Sequence, residues 1–276
     1  AASTPEATNP VADQAEAYGV PCYTIGAPWQ AYYYGRGATD ETPFKWTYHH
    51  FWGLEDAIAV YTAIWKRLET NKVVGALFPN DADGAAFGDP NTGFPVACAQ
   101  LGYTLIDPGR YQVGSEDYTS QISAFKKEAV EILLGVPVAS DFVNFWKQAM
   151  QQAFQPKIGT IGKGLDLPPD IEALGSAGNQ FCIEFQWGSQ FPFTSSITGE
   201  SCADLANDFE KRVGMQAGSY LMYYSGFEVI GDVFKRCPDL DDPEALVDAL
   251  SKTKLDTIAG PIDFTTEPKM GTMHPV

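Results

Sequence analysis

The hydrophobic and polar positions in the central part of the chain alternate between two spacings. Short apolar runs of strand length, such as 72–78, are followed by segments in which apolar residues recur at the spacing of a helix. The segment 54–69 shows the helical spacing most clearly, through Leu54, Ile58, Tyr61, Ile64, Trp65 and Leu68. Strands separated by helices in this way predict parallel sheets built from βαβ units.

The same patterns predict elements along the whole chain. Asn9 and Pro10 are predicted to open the first helix, and Gly19 to end it. The predicted strands are 20–25, 45–51, 72–78, 103–106, 131–136, 157–161, 181–187 and one near 258–264. The predicted helices are 10–18, 54–69, 94–101, 119–128, 141–153, 168–174, 201–213, 219–236 and 243–251. Loops are predicted at 26–44 and 79–93.

This order predicts an α/β fold of two lobes, each a mainly parallel sheet flanked by helices. Residues 53–187 alternate regularly and are predicted to form lobe two. Residues 1–52 and 188–262 are each too poor in strands to stand alone, so we expect them to form lobe one together, with 263–276 returning towards lobe two. Open α/β sheets bind ligands at the carboxyl ends of their strands, so two facing lobes would enclose a binding cleft.

The charge of the chain disfavours whole classes of function. The formal net charge is −17, from 35 acidic and 18 basic residues. A nucleic-acid binder needs lysine and arginine to neutralise phosphates, so nucleic acid is not expected as a partner, and an anionic membrane surface is disfavoured for the same reason. Acidity of this kind is also typical of a protein that is simply kept soluble by self-repulsion.

The five cysteines lack metal or redox spacing, since no C-x-x-C occurs. An odd number leaves at least one thiol outside any intrachain disulfide. In an oxidising compartment we would expect Cys202 to pair with Cys237, because antiparallel packing of their predicted helices would bring them together. The alternative is that all five are small, buried apolar residues.

Motifs for catalysis or cofactor binding are missing. The nearest approach to a phosphate-binding loop, around Gly162-Lys163-Gly164, lacks two of the required residues, and no dinucleotide fingerprint or G-x-S-x-G elbow occurs. His49 and His50 are adjacent on a strand and point to opposite faces, so they do not favour a shared metal. The acidic run 80–84 lacks calcium-loop spacing. We therefore expect no cofactor, no metal and no enzymatic activity.

Aromatic side chains cluster where predicted strands end. Trp29 follows the strand 20–25, Trp52 follows the strand 45–51, and Trp187 ends the strand 181–187. Aromatic groups at such positions suit a pocket that grips a small solute. Packing in a core or between lobes is the alternative for each of them.

Several segments resemble the family of branched-chain amino-acid and amide-binding periplasmic proteins. They are the runs 9–17 and 19–21, the strand and loop 72–84, and the segment 103–127 with Asp117-Tyr118 and Gln121-Ile122. The resemblance spans nearly the whole chain and implies a two-lobed type I periplasmic-binding-protein fold. The family's opening βα units have no counterpart before Ala1, and its final strand pair is incomplete, so a fragment cut at both ends is expected.

The resemblance also implies a binding site. In relatives that bind amino acids, a hydroxyl-rich loop holds the ligand carboxylate, and here this loop falls at Ser3, Thr4 and Thr8. The next loop, which contains Ala27 and Trp29, adds backbone contacts. Lobe two is expected to contribute Asp83 and Ser140.

One position departs from the family pattern. Relatives usually place an acid after the strand 157–161 to pair the ammonium group of the ligand, whereas this chain has Lys163 there and no acid before Asp166. A lysine repels an ammonium group but can pair an anion. This hypothesis favours a carboxylate, an amide or a polyol-like solute, with Lys163 holding the anion and the tryptophans forming apolar walls. Exposure of Lys163 to solvent is the alternative.

The resemblance implies capture of a small solute and its delivery to the permease subunits of an ABC transporter. The implied location is periplasmic or extracellular, with a lipid anchor as one option; no signal peptide is recognised in the sequence. A ligand-sensing receptor or regulatory domain of the same fold is the alternative function, and nothing in the sequence separates the two.

Overall fold

The computed structural model describes residues 4–39, 41–165, 168–266 and 270–271. The chain divides into two compact units. Unit 1 comprises Ala1–Asp56 and Gln186–Val276, and unit 2 comprises Ala57–Phe185. The predicted lobe boundaries, at 52/53 and 187/188, lie within four residues of the observed ones.

The elements alternate along the chain in the predicted manner. The first half contains α1 (Pro5–Tyr18), β1 (Cys22–Ile25), α2 (Trp29–Tyr33), β2 (Thr47–His50), α3 (Leu54–Trp65), β3 (Val73–Leu77), α4 (Ala82–Phe87), α5 (Phe94–Leu101), β4 (Thr104–Ile106), α6 (Thr119–Lys127) and β5 (Ile132–Gly135). The second half contains α7 (Ala139–Gln151), β6 (Ile158–Ile161), α8 (Pro168–Glu172), β7 (Phe181–Ile183), α9 (Cys202–Val213), α10 (Tyr224–Arg236), α11 (Pro243–Ser251), β8 (Lys254–Thr257), β9 (Gly260–Asp263) and β10 (Met270–Gly271). Short 3-10 helices occur at Tyr34–Arg36, Gly175–Gly178 and Ser219–Tyr223.

Unit 2 contains a five-stranded parallel sheet in the order β4-β3-β5-β6-β7. The strands are apolar on both faces because helices cover both faces of such a sheet. The core packs Leu133 and Ile161 of the strands against Phe125 of α6 and Phe145 of α7, all fully buried. Burial of each such side chain contributes about 1.5–3 kcal/mol relative to exposure, which makes this sheet a firm support for the loops at its ends. The predicted parallel α/β class is confirmed.

Unit 1 is built from a smaller parallel sheet in the order β1-β2-β10, together with the antiparallel hairpin β8–β9. Its core joins Tyr48 of β2 to Val229 and Val233 of α10 and to Phe264 after the hairpin. We predicted a single strand near 258–264; the structure has a hairpin instead. The turn at Thr257–Gly260 closes through Thr257 Oγ1, which donates to the carbonyl of Gly260 over 2.7 Å.

The segment 263–276 was expected to return towards the second lobe. In the structure, Met270 and Gly271 form β10, which pairs in parallel with His49 and His50 of β2. This pairing places the described part of the segment in unit 1, and the expected return is therefore wrong.

The first helix begins earlier than predicted. Thr4 is the residue before the first turn and Pro5 occupies the first helical position, where a missing N–H costs nothing. Pro10 lies inside the helix and cannot donate to the carbonyl of Glu6, yet the helix continues to Tyr18. The predicted stop is confirmed, since Gly19 takes a left-handed conformation at φ 65°.

The two predicted loops both contain helices. The segment 26–44 includes α2 and the 3-10 helix that follows it, and 79–93 includes α4. Asp81 starts α4 by accepting a hydrogen bond from the backbone N–H of Gly84 at 2.8 Å. Both helices are only five or six residues long, too short to show a helical pattern of apolar residues.

Candidate functional site

The loops at the carboxyl edge of the sheet in unit 2 bring Lys163 together with two aspartates. Lys163 Nζ lies 2.5 Å from Asp83 Oδ2 and 3.0 Å from Asp81 Oδ2. Asp81 and Asp83 come from the loop and first turn after β3, and Lys163 follows β6. The side chains of Lys163 and Asp83 are 17% and 4% exposed, so this ion pair is largely shielded from water.

The charge of Lys163 is therefore already compensated within unit 2. Burial alone lowers the pKa of a lysine, but the nearby carboxylates of Asp83 and Asp81 outweigh this effect and raise the pKa of Lys163 above its usual value. The side chain remains an ammonium ion, and its hydrogen bonds go to the two aspartates. The expected roles of Lys163 as an anion holder and of Asp83 as an independent acceptor find no support in this geometry.

An acid does lie beside the loop 162–164, although it comes from the next strand. A Cβ built on Gly162 would lie 2.9 Å from Glu184 Oε2 and 3.4 Å from the hydroxyl oxygen of Tyr61. Glu184 directly follows β7, which pairs with β6. Glu184 thus lies beside the loop that carries Lys163, at the edge where Asp81 and Asp83 also lie.

Ser140, the other predicted contact in this unit, lies in the first turn of α7 and is exposed. Its neighbour Asp141 is buried, and its carboxylate accepts a hydrogen bond from the backbone N–H of Gly114. Asp141 therefore fixes the loop 112–115 against the start of α7, whereas the hydroxyl of Ser140 remains at the surface.

The corresponding edge in unit 1 is organised around His49. Its Nε2 lies 2.7 Å from the carbonyl oxygen of Ala27, and its Nδ1 lies 2.8 Å from Thr24 Oγ1. Because a carbonyl only accepts, Nε2 carries the proton and Nδ1 accepts from Thr24. Tyr32 stacks on the imidazole, with a centroid separation of 4.2 Å. Burial lowers the pKa of His49 to about 4, so the ring is neutral at pH 7.

Ala27, which we expected to contact ligand, thus uses its backbone carbonyl to hold His49. The whole residue is fully buried. This bond joins the loop after β1 to the end of the strand β2, and it fixes the loop conformation through the backbone of Ala27.

His50 points to the other face of the sheet, as its position next to His49 predicts. Its Nδ1 is hydrogen-bonded to the hydroxyl of Tyr23, and its Nε2 lies 3.2 Å from Ser225 Oγ. Ser225 itself donates to the carbonyl of Met222 at 2.6 Å, so it accepts from His50. A serine that donates its proton elsewhere, fully buried, is not arranged for activation by the histidine. This network instead ties β1 and β2 to α10.

The three tryptophans have different surroundings. Trp187 is fully buried, and its indole N–H donates to the carbonyl of Ile258 at 3.0 Å, so it belongs to the core of unit 1. Trp52 is 5% exposed and packs against Phe51, with the two ring planes tilted by 37°. Trp29 is half-buried and donates from Nε1 to Glu55 Oε1 at 2.8 Å. Of the three, Trp187 fits the alternative of core packing, and its place in a pocket wall stays a prediction.

The hydroxyl-rich segment before the first helix differs from the predicted loop. Thr8 is buried within α1, and Thr4 precedes that helix with its carbonyl accepting from the backbone N–H groups of Ala7 and Thr8. Ser3 lies outside the described residues. Thr4, at the helix start, therefore retains the predicted loop position, whereas Thr8 does not.

All five cysteines are free in the structure, and the expected pair of Cys202 and Cys237 does not form. Cys202 is buried and donates to the carbonyl of Ile258, whereas Cys237 donates to the carbonyl of Asp239. Among the described residues no three histidine, cysteine or acidic side chains are grouped so as to hold a metal ion. The described helices include none with the length and apolar character needed to cross a membrane.

Sequence reasoning missed two acidic residues. Glu184 could have been found from topology, because the ends of neighbouring parallel strands meet at one edge of a sheet. Glu55 receives hydrogen bonds from both Trp29 and Gln30, which lie on a helix that the sequence pattern did not predict. No signal in the sequence points to Glu55.

A comparison with family profiles matches residues 2–276 to the family described as periplasmic binding protein. Solved structures show the same fold. One is the branched-chain amino acid transporter substrate-binding protein LivJ from Streptococcus pneumoniae in complex with isoleucine, with a TM-score of 0.73 and 11% identity over 99% of this chain and 73% of that one.

Two further structures extend the range of similar proteins. An extracellular ligand-binding receptor from Rhodopseudomonas palustris has a TM-score of 0.77 and 14% identity over 100% of this chain and 76% of that one. A fatty acid ABC transporter substrate-binding protein from Thermomonospora curvata has a TM-score of 0.68 and 17% identity over 95% of this chain and 65% of that one. At these identities the likeness concerns the fold.

Proposed function

Since the chain belongs to the periplasmic binding protein family, we propose that it is the substrate-binding component of an ABC transporter. In this proposal a small polar solute binds at the carboxyl ends of the strands. The units close on the solute, and the closed form delivers it to permease subunits in the membrane. Closure of two domains about a hinge is a known response to such ligands.

The observation that carries the proposal is the division of the chain into two α/β units connected at two places, near 56/57 and 185/186. Each unit holds its strand-end loops with buried hydrogen bonds, through His49 in unit 1 and the pair of Lys163 with Asp83 in unit 2. Capture by closure requires fixed binding loops on two domains that are connected by a hinge.

The family is one of periplasmic binding proteins, so the proposed location is periplasmic or extracellular.

The charge at the strand ends of unit 2 favours a solute that carries an amino group. Asp81, Asp83 and Glu184 outnumber Lys163, and Lys163 is engaged by two of the three. Opposite charges attract and like charges repel, so an excess of carboxylates favours an ammonium group of the solute over an anionic group. The anionic solute that Lys163 suggested from the sequence is no longer preferred. We propose an amino acid or a related amide, held in part by Glu184.

We propose that the protein binds without transforming its ligand. Among the described residues, the hydrogen bond that joins a serine to a histidine, Ser225 to His50, is buried, and the serine donates its proton to the carbonyl of Met222. A pocket in a transport protein has to release the solute unchanged, which needs hydrogen bonds and apolar contacts and no nucleophile.

A ligand-sensing receptor is the second candidate, because one structure of similar fold is described as an extracellular ligand-binding receptor. Transport and sensing share the capture step and differ in the partner that recognises the closed form. A genetic neighbourhood with permease and ATPase genes favours transport; a signalling partner favours sensing.

The test is a thermal-shift screen of the full-length protein against amino acids, aliphatic amides, carboxylates and polyols. Binding to the folded state alone raises stability by about 2.7 kcal/mol at a solute concentration of 100 Kd. We expect a clear rise in the melting temperature with an amino acid or amide. A response to carboxylates without an amino group, and to nothing else, would refute the preference for an amine.

A further inference from the structure

The first crossing of the chain between the units occurs inside a helix. The unit boundary falls between Asp56 and Ala57, after the first three residues of α3. The contacts that hold these three residues therefore act at the point where the chain leaves unit 1. The side-chain donors to Glu55 and the acceptor for the backbone N–H of Leu54 lie on the short helix α2, within unit 1.

Glu55 is the centre of these contacts. Its Oε1 accepts from the indole N–H of Trp29 at 2.8 Å, and its Oε2 accepts from the side-chain amide of Gln30. Both oxygens of one carboxylate are thus used by neighbouring residues at the start of α2. Hydrogen bonds to a charged group are stronger than those between neutral groups, and two of them acting together favour one geometry.

The remaining contacts reinforce the same junction. Gln30 Oε1 accepts from the backbone N–H of Leu54 at 3.0 Å, which satisfies one of the free N–H groups at the start of α3. The carbonyl of Trp52 accepts from the backbone N–H of Trp29 at 3.3 Å. Both polar atoms of the Gln30 side-chain amide therefore bind the start of α3: Nε2 donates to Glu55, and Oε1 accepts from Leu54.

Gly53 shows how closely the junction is packed. A Cβ at this position would lie 2.2 Å from Trp29 Nε1 and 2.4 Å from each carboxylate oxygen of Glu55. Real Cβ atoms do not approach other atoms this closely, so any other residue would force Trp29 and Glu55 apart.

We propose that Glu55 is a positioning residue for solute capture, which fixes the first turn of α3 on α2 and so restricts the hinge between the units. This inference rests on the proposed function, because a hinge matters only if the units open and close. Glu55 touches no solute in this account. It sets the direction in which α3 leaves unit 1, and that direction limits the range of open forms.

The variant Glu55→Ala removes both hydrogen bonds, and Glu55→Gln keeps one acceptor oxygen. Glu244→Ala is the matched control, since Glu244 is also an exposed glutamate in the first turn of a unit 1 helix and pairs with Lys45. Dyes are attached through non-natural amino acids at exposed Ala203 in unit 1 and Lys147 in unit 2, because the native cysteines would also be labelled.

Single-molecule energy transfer between the dyes then reports the distribution of open forms without solute. We expect a broader distribution for Glu55→Ala, an intermediate one for Glu55→Gln, and the wild-type distribution for Glu244→Ala. Hydrogen exchange at the backbone N–H of Leu54 should accelerate on the order of tenfold in Glu55→Ala. Melting temperatures, measured in parallel, confirm that the variants are folded.

A wild-type distribution for Glu55→Ala, in protein that closes normally when L-isoleucine or another solute of the screen is added, overturns the role of Glu55 and leaves the proposed function intact. If Glu55→Ala shows the wild-type distribution and no solute of the screen shifts it, in the variant or in the wild type, both the role of Glu55 and the proposed function are overturned. A simple structural role for Glu55 would lower the melting temperature of Glu55→Ala without broadening the distribution, and that result also counts against the inference.

Discussion

Lys163 and Asp83 form a shielded ion pair, with 2.5 Å between Lys163 Nζ and Asp83 Oδ2, across the carboxyl edge of the sheet in unit 2. The two residues come from loops after different strands, so the pair joins β3 to β6 at the end where ligands bind in open α/β sheets. The pair engages the lysine that stands where the family resemblance implies an acid. In the proposed function, Glu184 from the next strand takes the place of that acid.

Lys163→Met is expected to destabilise the protein by about 3 kcal/mol, because it leaves the carboxylates of Asp81 and Asp83 close together without a cation. The measurement is the midpoint of urea unfolding of the full-length protein at pH 7. Lys147→Met is the control, since Lys147 is exposed on α7, and it should change stability by less than about 0.5 kcal/mol. Equal midpoints for both variants would contradict the role of the pair.

The stability of the protein is expected to fall as the pH drops from about 6.5 to about 4. In this window the unfolded chain binds a proton at His49 that the folded protein does not, so acid favours unfolding by about 3 kcal/mol through this residue. Unfolding free energies measured at several pH values test this. His49→Gln should lose part of the decline, and parallel curves for the variant and the wild type would show that His49 does not cause it.

Trp187→Phe should lower the free energy of unfolding by about 2 kcal/mol, because it removes a buried hydrogen bond and leaves a cavity in the core of unit 1. The affinity for the solute should change little, since the indole of Trp187 is fully buried and donates to Ile258. Denaturant unfolding and calorimetric binding of the same sample separate the two effects. A large loss of affinity at unchanged stability would return Trp187 to a pocket wall.

Peptide mapping of the purified protein should recover Cys202 and Cys237 on separate alkylated peptides, because both thiols are free in the structure. Cys98 should resist alkylation until the protein unfolds. Its side chain is buried, and burial raises the pKa of its thiol to about 12, so the reactive thiolate is scarce at pH 8. A disulfide-linked peptide containing Cys202 and Cys237 would disprove this prediction.

The sequence predicted the elements that carry strong periodicity. The helix α5 (Phe94–Leu101) matches its predicted bounds, and α3, α6 and α7 lie within four residues of theirs, since each buries a wide apolar face. The strands β3 and β5 were found because a doubly covered sheet needs continuous apolar runs. The short helices α2 and α4 were missed because five or six residues cannot display a helical period.

The site was predicted less well than the fold, because its contacts join residues that are far apart in sequence. Lys163 meets Asp83 over 80 positions, and His49 meets Ala27 over 22. No local pattern in the sequence indicates either pairing. The sequence pattern predicted the same role for Trp29, Trp52 and Trp187, because all three lie at strand ends. Only the three-dimensional packing distinguishes the buried Trp187 from the half-buried Trp29.

The most direct test of solute capture is isothermal titration of the full-length protein with a solute that raises its melting temperature, followed by recovery of that solute and its analysis by NMR. The proposed function predicts one solute bound per chain and a recovered compound that is chemically unchanged. Conversion of the solute to a product, or the absence of any saturable binding by folded protein across the screened amino acids and amides, would contradict it.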